Sequence, residues 1–328
     1  MALPPLRIGI VGTGFIAPFH YDGFRQCPAA VVAGLCAHAP TERLRELSTL
    51  WGVRAYQDFE EMVASPTIDA LVLCSRNTEH ASQVRRCQAL GKPVLVEKPV
   101  VTELRELDLI RASVDRTGIP VMPAHNFVYR GAVKAAREAL NAGQIGRLIY
   151  ASFASNHTIS PEHAGGWRGD LSLSGGGALM DSGHHQVYQA IHLLGIPEAL
   201  HAFQSRVVQT KMEGEDLAHI QLSYSDGSLA TILQSWTNNH GVPVDGIRLV
   251  GTDGWLQVTD ALYINGQRGD SDTSYAQSFV NQARAFVELV QHGIPPASTL
   301  EDAHATLTLI KLAYESARLG TVPRFPKA

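Results

Sequence analysis

The run Leu6–Val11 followed at once by Gly12-Thr13-Gly14-Phe15-Ile16-Ala17 decides the fold. LRIGIV is largely apolar, as expected of a strand in a parallel sheet covered on both faces. The glycines follow it without a gap and open a helical pattern over Phe15–Gln26. Gly12 permits the tight turn. Gly14 lets the backbone approach a pyrophosphate at the helix N-terminus, where N–H groups and the helix dipole favour an anion. Ala17 stands where the fingerprint's third small residue sets helix–strand packing. Between a strand and a helix the pattern predicts a dinucleotide site at Gly12, Thr13, Gly14, Phe15 and Ile16.

Working outward, the same unit repeats. Strands are predicted at Leu6–Val11, Val31–Ala37, Val53–Tyr56, Ala70–Leu73, Val94–Val96 and Pro120–Met122. Helical stretches near Phe15–Gln26, Thr41–Leu50, Asp58–Ala64, Glu79–Ala89 and Thr102–Arg116 separate them. Such alternation argues for an α/β doubly wound sheet over residues 1–123. The pattern then changes. After a helix at Gly131–Ala142 and a strand at Leu148–Ser155 come a polar loop, three glycines at 175–177 and a helix at Ala178–Leu194. Strands follow at Ala199–Thr210, Leu217–Tyr224, Leu229–Trp236, Gly246–Gly251 and Gly254–Val258, with turn compositions between them. Helices at Ala276–His292 and Leu300–Leu319 finish the chain. Residues 124–328 are therefore expected to form an α+β domain with an open, mostly antiparallel sheet, its last helix able to pack back on the first domain.

The 328 residues are 45% hydrophobic with a net charge of −4, enough chain for two cores and no basic stripe for nucleic acid. No apolar run approaches the roughly 18 residues of a membrane span. Met1–Arg7 has no basic segment leading into an apolar one, so no signal peptide is expected. Cys27, Cys36, Cys74 and Cys87 form no C-x-x-C pair and read as reduced thiols, with no metal site. A cytoplasmic protein is the expectation.

Two further segments carry chemistry. Glu97-Lys98-Pro99 closes the apolar strand Val94–Val96, which puts Lys98 on the sheet edge where open α/β folds bind ligands. Its flexible amine shifts pKa readily when desolvated. In GGGALMDSGHH, residues 175–185, Asp181 and His185 are spaced i, i+4 and would share one helix face. A carboxylate beside an imidazole fixes its tautomer and raises its basicity, an arrangement suited to a general base. Trp167-Arg168, in a loop rich in Gly and His, could wall a pocket for a polar substrate. The second strand ends Cys36-Ala37-His38-Ala39-Pro40, without the carboxylate that usually binds the adenosine ribose and repels a 2′-phosphate. His38 and Arg43 could face a phosphate instead, which favours acceptance of NADP.

Together these segments resemble the glucose–fructose oxidoreductase and inositol dehydrogenase (Gfo/Idh/MocA) family along essentially the whole chain. The resemblance rests on the glycine turn, Ser75-Arg76-Asn77-Thr78-Glu79-His80, the run from Gly91 to Pro99, Gly143-Gln144-Ile145-Gly146, Trp167-Arg168, the 175–185 segment and the closing Glu301-Asp302-Ala303 helix. It implies a Rossmann domain binding NAD or NADP, then an α/β domain often used for oligomer contacts, with the nicotinamide between the two. By the same likeness Lys98, Asp181 and His185 are catalytic. Ser75, Asn77, His80, Glu97, Asn126 and the His38 position lie along the cofactor, and Trp167, Arg168 and His185 meet substrate. Tyr188 stands where the family often has a second aspartate, and Arg76 where it often has proline.

The reaction so implied is hydride transfer between a nicotinamide cofactor and a secondary alcohol or ketone of a sugar, cyclitol or glycoside, in a homodimer or homotetramer. Two rivals remain: an enzyme that recycles bound NAD to drive glycoside cleavage or epimerisation, and a non-catalytic dinucleotide sensor.

Overall fold

The computed structural model describes residues 3–39, 41–237 and 244–326; Pro40, at the end of the quoted second-strand segment, lies outside the described residues, as do Met1 and Ala2. The chain forms two compact units, one of Met1–Tyr129 with Ser274–Leu300, the other of Arg130–Thr273 with Glu301–Ala328.

In the first unit β1 (Leu6–Val11), β2 (Ala30–Cys36), β3 (Arg54–Ala55), β4 (Ala70–Leu73), β5 (Val94–Val96) and β6 (Val121–Pro123) make one sheet in the order β3-β2-β1-β4-β5-β6. Every pairing in it is parallel. Helices α1 (Ala17–Arg25), α2 (Glu42–Trp51), α3 (Phe59–Ala64), α4 (Asn77–Ala89) and α5 (Leu104–Thr117) alternate with the strands. Local chemistry sets their starts: Thr41 Oγ1 accepts the Leu44 N–H at 3.1 Å, and Asp58 Oδ1 accepts the Glu61 N–H at 2.8 Å. The strand order reverses at β1, whose neighbours are β2 and β4, so the crevice for a ligand opens at the carboxyl ends of β1 and β4. All four cysteines are buried thiols, and burial pushes Cys36 up to about 12.

A later helix completes this unit. α10 (Tyr275–His292) lays Phe279 against Phe19 and His20 of α1, and Phe286 against Phe24, with ring centroids 5.0–6.2 Å apart. Phe279 and Phe286 are buried, each stabilising by roughly 1.5–3 kcal/mol relative to exposure.

In the second unit α6 (Gly131–Asn141) leads into β7 (Leu148–Asn156), two short helices α7 (Pro161–Gly165) and α8 (Leu171–Ser174), and α9 (Gly183–Leu194). Then come β8 (Ala199–Ser205), β9 (Leu217–Ser223), β10 (Leu229–Ser235), β11 (Gly246–Gly251), β12 (Trp255–Val258), β13 (Leu262–Ile264), β14 (Gln267–Arg268) and finally α11 (Leu300–Leu319). The sheet runs β14-β13-β12-β11-β7-β10-β9-β8, antiparallel except for β7 beside β10. Its inner face, with Phe153, Ile220, Ile232 and Leu249, is buried. The outer face alternates to polar and exposed apolar residues, the period-two pattern of a sheet covered on one side. Among the described residues no helix is long and apolar enough to cross a membrane.

Two of the differences from the sequence reading trace to buried carboxylates. β8 stops at Ser205, short of Thr210, because Asp216 accepts the N–H groups of Val207, Val208 and Gln209 at 2.8, 2.6 and 2.7 Å. Those residues leave the sheet ladder for the side chain. α9 begins at Gly183, where the sequence predicts Ala178, so Asp181 sits in a turn before the helix. Here Glu215 takes over: its carboxylate accepts Gly177 N–H at 3.2 Å and Leu179 N–H at 2.8 Å, and its carbonyl accepts Ala178 N–H at 2.8 Å. A Cβ on Gly177 would lie 2.1 Å from the Glu215 carbonyl oxygen, so only glycine fits.

Glu215 is buried, which raises its pKa against the opposing pull of these donors and of the Tyr314 hydroxyl, 3.1 Å away. Replacing it by alanine strands three buried donors, each costing about 1–3 kcal/mol when left unpaired. Glu215→Ala should therefore lower unfolding free energy by at least about 2 kcal/mol, and Tyr314→Phe by about 1 kcal/mol, in denaturant titrations. Changes below about 0.5 kcal/mol in both would rule out the clamp.

Candidate active site

The glycine turn is pinned between two strands. Gly12 N–H donates to the Cys36 carbonyl at 2.8 Å, and Cys74 N–H donates to the Val11 carbonyl at 2.7 Å. Gly12 has φ of 110°, and a Cβ there would sit 2.5 Å from the Cys74 carbonyl oxygen. Both facts demand glycine. At Gly14 an added Cβ would meet nothing within 4 Å, so the backbone borders open space. α1 has Ile16 at its N-cap, with no side-chain capping bond and no acidic residue in its first turn. Thr13 and Ile16 are half-buried and Phe15 is exposed. These features fit a pyrophosphate at the helix N-terminus.

Farther along this edge, Lys98 and Glu97 follow β5 and are both half-buried. Glu97 reaches back to α1: Oε1 lies 2.8 Å from His20 Nε2, while Oε2 accepts the Lys98 N–H at 3.1 Å. His20 is almost wholly buried beneath Phe279. The carboxylate so fixes the backbone that carries Lys98. His80 braces the same backbone from the other side, with Nδ1 3.0 Å from the Pro99 carbonyl and Nε2 3.2 Å from the Ser75 carbonyl. Complete burial lowers its pKa, and the two carbonyls, as acceptors for ring N–H groups, oppose that shift. The sequence reading set His80 along the cofactor; the structure buries it completely, and it reaches that edge through these two carbonyls.

Asn126 is likewise buried, in the turn after β6, and its amide donates to Ser278 Oγ of α10 at 3.0 Å. Asn77 opens α4 and is buried, while Ser75 Oγ donates to Gln83 Oε1 at 2.5 Å. The two residues expected to face a phosphate have carboxylate neighbours: Glu79 lies 3.3 Å from His38, and Glu46 lies 3.8 Å from Arg43.

In the second unit the turn anchored by Glu215 delivers Asp181. Arg168 Nε donates to Asp181 Oδ2 at 2.7 Å, and its guanidinium stacks over Trp167, 4.5 Å from the ring centre. Trp167, Arg168 and Asp181 thus form one assembly, which the sequence reading had divided between substrate and imidazole. His185 lies in the first turn of α9, with Nδ1 2.7 Å from the hydroxyl of buried Tyr188. Next to Asp181, Ser182 Oγ accepts the Trp236 indole N–H at 2.9 Å and lies 3.3 Å from His157 Nε2. Trp236 packs with Ala164, Ala178 and Met212 as the buried floor of this turn. His163 is exposed, 3.2 Å from the helix-capping Ser160 hydroxyl.

Sequence reasoning missed Glu215, Ser182, Trp236 and the contact of Tyr188. Only Tyr188 carried a signal, its i, i+3 spacing from His185.

Known proteins share this architecture. Residues 6–125 match the model of an oxidoreductase family with an NAD-binding Rossmann fold, and residues 133–257 match the GFO/IDH/MocA C-terminal domain. The myo-inositol 2-dehydrogenase of Thermotoga maritima is 25% identical over 93% of this chain and 94% of its own length. A D-apiose dehydrogenase of Paraburkholderia graminis is 26% identical over 95% of this chain and 87% of its own. The structure of a levoglucosan dehydrogenase with NADH and levoglucosan superposes with a TM-score of 0.88 at 19% identity, covering 98% of this chain and all of the other. The chain belongs to the Gfo/Idh/MocA oxidoreductase family, with an NAD-binding Rossmann domain at its N-terminus.

Proposed function

We propose that the protein is an NAD(P)-dependent dehydrogenase or reductase acting on a CH–OH carbon of a sugar or cyclitol. The observation that carries this is the setting of Lys98, on backbone held by Glu97 and His80 at the binding edge of an NAD-binding domain. The bound nicotinamide would accept or donate the hydride. Removing hydride from a secondary alcohol also requires its hydroxyl proton to leave. In this reading His185 takes that proton, and Lys98 donates a hydrogen bond to the same oxygen and stabilises its developing negative charge. Asp181, held by Arg168 in the turn that leads to His185, is the third member of this group in this reading. In the reverse direction the same groups return a proton to the carbonyl oxygen. Trp167 and Arg168 would border the substrate.

The names of the related proteins support a polyhydroxylated substrate. We also propose that a second copy of the chain covers the outer sheet face. Leu229, Tyr150, Val250 and Trp255 are neighbours in register across β10, β7, β11 and β12, and each is 38–54% exposed. A continuous apolar row of this kind marks an interaction surface.

Acid–base help of this type is worth roughly 10²–10⁴ in rate, so Lys98→Ala and His185→Ala should each lower kcat by that order while melting normally. Turnover of a sugar and cyclitol panel with both cofactors, followed as NAD(P)H absorbance, checks it. Most activity surviving in His185→Ala would remove the histidine from the mechanism, and product formed without net NAD(P)H would point to the recycling reaction. Tyr150→Glu combined with Val250→Glu should reduce the sedimenting species to a monomer; an unchanged sedimentation coefficient would exclude this face as the contact.

A further inference from the structure

The end of β2 lacks the acidic residue that separates NAD from NADP, and the structure brings a carboxylate there from another element. His38 lies two residues beyond β2 and is 79% exposed; Glu79 of α4, 3.3 Å from its Nδ1, is only 24% exposed. Glu79 belongs to a chain of contacts. Its Oε2 lies 3.5 Å from Gln83 Nε2, and Gln83 Oε1 accepts the Ser75 hydroxyl at 2.5 Å. Ser75 follows β4 and His38 follows β2, and β1 lies between those strands in the sheet. The line Ser75–Gln83–Glu79–His38 therefore spans the carboxyl edge beside the glycine turn. A half-buried carboxylate is less screened by water than an exposed one, so its charge is felt along this edge.

Resting on the dinucleotide reading above, we propose that Glu79 is the residue that selects NAD over NADP. Its carboxylate takes the role usually played from the end of β2: it accepts hydrogen bonds from ribose hydroxyls and repels a 2′-phosphate. This reverses the expectation drawn from His38 and Arg43. Both residues already lie beside carboxylates, and Arg43 is paired within its own helix.

Binding tests this without turnover. NAD⁺ and NADP⁺ are titrated calorimetrically into the wild-type protein, Glu79→Gln and His38→Ala. The wild type should bind NAD⁺ at least about tenfold more tightly, and Glu79→Gln should shrink the NAD⁺/NADP⁺ affinity ratio by about tenfold or more. His38→Ala should keep the preference for NAD⁺. A wild type that prefers NADP⁺, or a ratio within about threefold of wild type in Glu79→Gln, overturns the assignment while leaving the dinucleotide site intact. Binding of neither nucleotide by the wild type would overturn both.

Discussion

In the first unit the β1–α1 turn passes so close to the end of β4 that no side chain fits at residue 12. The rest of the cofactor edge depends on it. Val11 is in register with Cys36 and with Leu73, so the turn is stitched to strands on both sides before it reaches the helix. From there the ends of successive strands are joined by single side chains. Ser75, just past β4, is tied through His80 to Pro99, just past β5. Glu97, beside it, returns to His20 on α1, the helix that the glycine turn began. The contacts close a ring around the edge. Moving any member moves the backbone of Lys98, which explains how a residue on a flexible stem can have a defined base.

The second unit solves a different problem by the same chemistry. Its turn and loop segments carry backbone N–H groups that no ladder or helix satisfies, and buried N–H groups need acceptors. Adjacent residues Glu215 and Asp216 supply them to separate segments, 177–179 and 207–209. A buried carboxylate is costly alone but accepts several bonds at once. The rise in the Glu215 pKa from burial measures that cost, and the N–H donors oppose it. Hydrophobic side chains at 215 and 216 could fill the space but would leave the loops unpaired.

How far the sequence was legible follows from the range of each interaction. The strands of the first sheet, its glycine turn and the position of Lys98 were readable because they depend on local apolar runs and neighbouring glycines. The start of α9 was not: Ala178-Leu179-Met180 is helix-forming by propensity, and only a carboxylate 36 residues away from Leu179 breaks the pattern. β13 and β14 were missed because strands of 3 and 2 residues carry too little alternation to register. Tertiary contacts also changed roles. His80 looked like a cleft residue because its motif lies at a strand end, yet both ring nitrogens face backbone carbonyls. Asp181 and His185 stood out through their spacing, but the bond from Arg168 to Asp181 crosses a loop with no periodicity to reveal it.

This difference in range also separates what fixes the reaction from what can tune the substrate. Beneath Asp181 lie buried groups: the Glu215 clamp and the Trp236, Ala178 and Met212 floor. The segment over residues 157–174 shares that floor through Ala164 but is otherwise held by the caps at Ser160 and Asp170, by Arg168 and by the contact of His157 with Ser182. Partly exposed polar ties of this kind contribute about 0–1 kcal/mol each, against several for the buried clamp. Away from Ala164 the segment can therefore be reshaped by substitution at small cost while the turn beside it stays in place. On the function proposed above, substrate choice would rest with the weakly held part of this segment and the position of Asp181 with the buried clamp beneath it.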